Sequence, residues 1–97
     1  MSSALSDEVS QRPCTASFRV TTAPDLGAAL RVINLFAQQG LLPNRVTITT
    51  IPDGLVVSVR QLAIAAHRAD LIAARMRTQV DVADVWLRKV PRSDLGM

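Results

Sequence analysis

The sequence predicts an α+β sandwich whose elements run β-α-β-β-α-β. Two observations carry that reading. Apolar and polar residues alternate over four separate runs, whereas two stretches between them switch to a period near 3.6. Glycine or proline punctuates most of the joins.

Met1 to Pro13 is polar, Ser-rich and aperiodic, and reads as a flexible tail. Cys14 to Thr22 alternates, with Ala16, Phe18 and Val20 on one face and Thr15, Ser17, Arg19 and Thr21 on the other, as a half-buried strand should. Thr22 or Asp25 is placed to cap the helix that follows, and Pro24 is tolerated near its first turn. In that helix Ala29, Val32, Ile33 and Phe36 form a core-facing stripe, and Gly40 stands where a left-handed residue commonly ends a helix.

Pro43-Asn44 opens a second strand, Arg45 to Ile51, with Val46 and Ile48 against Thr47 and Thr49. Pro52-Asp53-Gly54 reads as a tight turn in which glycine supplies a positive dihedral. Leu55 to Arg60 returns with Leu55, Val57 and Val59 inward, completing a hairpin. From about Ala63 to Thr78 the helical period resumes, with Ala65, Ala69, Ile72, Ala73 and Met76 on one stripe. Asp81 to Val90 is the last strand, and Pro91 to Met97 a second loose end. Right-handed crossovers then place both helices on one face of a four-stranded antiparallel sheet, the ferredoxin-like βαββαβ arrangement. The expected organisation is one domain over 14–90 between tails 1–13 and 91–97.

The bulk numbers narrow the function. A chain of 97 residues, 48% hydrophobic and 20% charged, supports one globular core. The net charge is +3, but the arginines are scattered along the chain and the aromatics are only Phe18, Phe36 and Trp86, so no nucleic-acid partner is expected. Cys14 is a lone cysteine and reads as a small buried hydrophobe. Metal binding and cofactors are not expected. No secretory signal or membrane-length apolar run is present, so a cytoplasmic location without membrane contact is the expectation.

Catalysis is not expected either. His67 lies on the polar side of the second helix with no nucleophile evidently paired to it. The carboxylates of Asp25, Asp53, Asp70, Asp81 and Asp84 are dispersed among caps, turns and surfaces. RNA recognition on the sheet would require aromatics on its first and third strands, where Ser17, Arg19, Val56 and Ser58 face outward instead. Trp86 also faces away from the helices, either half-covered by arginine stems or anchoring an interface.

The first helix is too apolar for one neighbour. Leu26, Leu30 and Ala37 on one flank and Ala28 and Leu35 on the other widen its apolar arc to roughly 220°, where about 100° suffices for a surface helix. Leu26, Leu30 and Ala37 are therefore the predicted homodimer interface.

Gly27, Arg31, Val32, Leu35, Phe36 and Gly40, with thirteen residues from glycine to glycine, resemble the G-x-L-x-R-[VI]-x-x-L-F-x-x-x-G run of ACT domains, in particular the regulatory small subunits of acetolactate synthase. The resemblance covers roughly Cys14 to Val90. It implies dimers, formed side by side or face to face, that hold a small regulatory ligand at their interface, usually an amino acid. Carried over, the ligand-binding residues are Asp25, Leu26 and Gly27 before and at the helix start, and Leu41, Leu42, Pro43 and Asn44 after it. Leu42 stands where the acetolactate synthase subunits carry an asparagine. The expected function is an amino-acid-binding regulatory module acting as a dimer, such as the regulatory subunit of an amino-acid biosynthetic enzyme. The alternative is a ligand-free assembly module docking on a larger enzyme.

Overall fold

The computed structural model describes residues 12–91. Strand β1 spans Pro13–Thr22, helix α1 Leu26–Gln38, β2 Arg45–Ile51, β3 Gly54–Ala65, α2 Ala66–Arg77 and β4 Val82–Pro91. The sheet order is β2-β3-β1-β4, every neighbouring pair antiparallel, and the ferredoxin-like βαββαβ order is as expected. Pro13 and Pro91 belong to strands rather than to tails; apart from the exposed Arg12, the rest of the two expected tails lies outside the described residues.

One core lies between the sheet and the helices. Phe18 from β1 and Phe36 from α1 meet edge to face, ring centroids 5.1 Å apart at 87°, a favoured aromatic geometry. Around them Val20, Val57, Val59, Ile64, Ile72 and Met76 are buried. The buried alanines Ala69 and Ala73 lie on the face of α2 that meets this core.

Two expectations need correction. The hairpin does not end at Arg60, nor does the second helix begin at Ala63. β3 runs on to Ala65 through a bulge: Cys14 pairs with Ile64 but Ala16 with Gln61, so β3 carries one extra residue there. Ala63 accommodates it in a left-handed conformation, φ 56°. The helical period begins early because the alanines around the bulge fit either pattern.

Gly54 does not supply a positive dihedral, since Gly40 (φ 69°) is the only described glycine with one. Gly54 is required for a different reason: a Cβ there would sit 2.0 Å from the Thr22 carbonyl oxygen. Gly40 behaves as expected, with the Leu41 N–H returning to the Phe36 carbonyl at 2.9 Å to close the helix end.

β2 is a rim strand, and its residues are exposed or only partly buried. Val46 and Ile48 pair with the inward Val59 and Val57, yet each remains nearly 40% exposed, because no helix covers this rim.

Candidate functional site

The start of α1 is organised by charge. Asp25 is the N-cap in extended conformation, and its carboxylate accepts the Gly27 N–H at 3.1 Å. This satisfies one of the helix's free donors and sets negative charge at its positive end. The Arg31 guanidinium, one turn on, lies 3.7 Å from Asp25 and donates to the Asp81 carboxylate at the head of β4. The Asp81 carbonyl also accepts the Ala23 N–H at 2.9 Å, so the β1–α1 loop is held to β4 by backbone and side chain together. Asp25 and Arg31 nevertheless keep more than half of their side-chain surface in solvent.

This geometry revises the expected role of Gly27. Its N–H, read from the sequence as open to a ligand carboxylate, already carries Asp25. Gly27 itself is helical, and a Cβ there would make only ordinary contacts, 3.4 Å to the Asp25 oxygens and 3.5 Å to Arg31. The fold has no need of glycine here, although glycine in a helix costs roughly 0.5–1 kcal/mol relative to alanine.

The turn after α1 is divided between structure and surface. Leu41 packs against the core. The Asn44 side-chain oxygen accepts the Leu62 N–H at 2.8 Å, and its backbone N–H donates to the Arg60 carbonyl, also at 2.8 Å. Asn44 thus pins the β2 entrance to the bulged part of β3. The Gln39 carbonyl accepts from Arg68 of α2 at 2.8 Å. Leu42 is 86% exposed and is the apolar residue of this turn that presents its side chain to solvent.

Asp25, Leu26 and Gly27 do not meet Leu41, Leu42, Pro43 and Asn44 within one chain. The helix between them has thirteen residues, about 20 Å of axis, and the two groups sit at its opposite ends. Between them lie Leu26 and Leu30, 59% and 54% exposed, and the exposed Ala37. Around the helix axis these three stand across from the buried Ala28 and Leu35, and away from Arg31, which reaches toward β4. They therefore flank the side of α1 nearest the β2 rim, where Val46 and Ile48 are also uncovered.

The remaining titratable groups offer little chemistry. Cys14 is buried; burial pushes its thiol pKa up, partly opposed by the charge of Lys89 and reinforced by Asp70. Lys89 itself is engaged with Asp70 at 2.7 Å. Among the described residues no group of three or more His, Cys, Asp or Glu side chains is placed to hold a metal, and no helix is long and apolar enough to cross a membrane.

Sequence reasoning missed two arrangements. The first is the Asp25–Arg31–Asp81 chain, which joins residues fifty positions apart and has no local signal. The second concerns the arginines called scattered: Arg19, Arg45, Arg60 and Arg88 share the sheet face opposite the helices. Their outward parity on each strand was readable, but their adjacency depends on register.

A family model described as an ACT-like domain matches residues 9–94 of the 97. No curated protein matches the sequence.

Proposed function

Because the chain belongs to the ACT-like domain family, whose members are generally regulatory rather than catalytic, we propose that it is a regulatory module acting as a homodimer that binds a small zwitterion of the amino-acid class between its two copies. One observation carries this reading. The two segments that the family resemblance assigns to the ligand lie at opposite ends of α1, and the helix flank between them is apolar and uncovered. A two-fold partner laid antiparallel along that flank would bury Leu26, Leu30 and Ala37 and bring Asp25–Gly27 of one copy against Leu41–Asn44 of the other. The exposed Asp25 and Arg31, opposite charges side by side, suit the ammonium and carboxylate of such a ligand. An unneeded glycine at position 27 leaves room for it.

The likeness of the Gly27–Gly40 run to small subunits of acetolactate synthase supports the catalytic subunit of an amino-acid biosynthetic enzyme as the regulated partner. A second reading, a ligand-free dimer that assembles on a larger enzyme, is favoured by the carboxylate already seated on the Gly27 N–H and by Leu42 at the other half-site.

Light scattering and a thermal-shift screen against the common amino acids test both readings. A dimer stabilised by one amino acid supports the first. At about 100 times its dissociation constant a ligand adds about 2.7 kcal/mol, on the order of ten degrees or more in Tm. Gly27→Asp should abolish that shift and leave the dimer intact. A dimer with no shift supports the second reading, and a monomer at high concentration refutes both.

A further inference from the structure

The sheet face opposite the helices carries two adjacent cross-strand rows. One runs Arg45, Arg60, Ser17, Arg88; the next runs Thr47, Ser58, Arg19, Trp86. Neighbouring strands are about 4.8 Å apart, so Arg45 and Arg60 stand side by side and Arg88 follows roughly 10 Å from Arg60, across Ser17. All four arginines are exposed. The guanidinium groups of Arg45, Arg60 and Arg88 have no ion-pair or hydrogen-bond partner among the described residues, in contrast to Arg31 and Lys89. Arg19 lies over the Trp86 ring, 5.4 Å from its centroid, and Trp86 is still 45% exposed. Shallow depressions lie between these side chains, one reaching from Trp86 to Arg45 and its neighbour from Arg60 to Arg88. Asp84 is the one carboxylate that the strands place on this face, and it sits in the row beyond Trp86.

We propose that this face is a docking surface for an acidic segment of another protein, whose carboxylates pair with Arg45, Arg60 and Arg88 while its apolar part covers Trp86. Tryptophan and arginine are the side chains that dominate protein interfaces, and the planar guanidinium matches a carboxylate with two parallel hydrogen bonds. A second copy of the chain does not fit, because stacking two such faces opposes like charges across a desolvated contact. Single-stranded nucleic acid fits less well: it needs successive aromatics under successive bases, and this face has only Trp86, with Arg19 already packed on it. The surface is separate from the α1 flank, so this inference stands whether or not that flank forms the dimer.

Trp86 is the only tryptophan, and the chain has no tyrosine, so intrinsic emission reports on this face alone. The full chain is titrated at physiological salt with a glutamate-rich peptide lacking aromatics, and in parallel with an oligothymidine of equal nominal charge. The peptide should change Trp86 emission saturably. Arg60→Gln with Arg88→Gln should weaken that binding by at least about tenfold, whereas Arg75→Gln with Arg77→Gln, an equal charge loss on α2, should change it less than about twofold. Circular dichroism melts confirm that both double variants fold. An absent peptide response overturns the proposal, as do equal losses in the two variants. Oligothymidine binding tighter than the peptide overturns it in favour of nucleic acid.

Discussion

Gly54→Ala tests the most crowded backbone contact in the fold. A Cβ at position 54 would lie 2.0 Å from the Thr22 carbonyl oxygen, whereas real Cβ contacts essentially never fall below 3.0 Å. One of two backbone segments must therefore move by about 1 Å, and neither is a flexible side chain that could swing aside. Gly54 pairs with Ile51 across the hairpin turn, and Thr22 ends β1 beside the loop tied to Asp81. The strain thus spreads into two joins of the sheet. Overpacking of this kind costs about 1–3 kcal/mol, and more where backbone must shift. At about 4–8 °C per kcal/mol for a domain of this size, Tm should fall by on the order of 10 °C or more. Thermal and urea unfolding of purified wild type and variant measure this directly. A variant melting within about 2 °C of wild type would show that the hairpin does not approach Thr22 this closely, and the argument for glycine at 54 would fail.

Leu30→Glu should dissociate the proposed homodimer at micromolar concentration by light scattering. Arg31→Glu, one residue away, should leave it dimeric, losing the exposed pairing to Asp81 and Asp25 and adding repulsion among exposed carboxylates, each about 1 kcal/mol or less. Trp86→Ala should cost about 1 kcal/mol in urea unfolding, the loss of a half-exposed ring and its arginine contact, against about 3–5 kcal/mol for Phe18→Ala or Phe36→Ala. Cys14 has a raised folded pKa, so its neutral thiol stabilises the fold below the ordinary thiol range. That stability is lost as pH rises through the raised value. Cys14→Ala should remove this alkaline decline, read from unfolding midpoints across the basic range.

The elements were legible in the sequence because each follows one period, and the inward parity of Phe18, Val20, Val57 and Val59 is that of the structure. What failed depends on neighbours that a single strand does not encode. Val46 and Ile48 have the alternation of a covered strand, but whether a helix reaches them is decided by the strand order. The bulge at Ala63 was invisible because alanine rarely adopts a positive φ, and a glycine there would have flagged it. Asn44 is a ligand residue only by the ACT-domain resemblance, and its bond to the Leu62 N–H of the strand that the bulge prolongs has no local signal. Asp25 was correctly read as a possible cap, and that role is what closes the Gly27 N–H to a ligand carboxylate.

The two rims of the sheet are not equally guarded. β4 carries Asp84, Arg88, Lys89 and a terminal proline, the features that discourage a stray strand from adding on. β2 reads R-V-T-I-T-T-I: it has no proline and no glycine, its only charge is at its first residue, and among the described residues its outer backbone edge is unpaired. Such an edge recruits extended chain from whatever source is nearest. Copies made in excess of whatever covers β2 are then the ones exposed to fibril growth and to chaperone and protease triage.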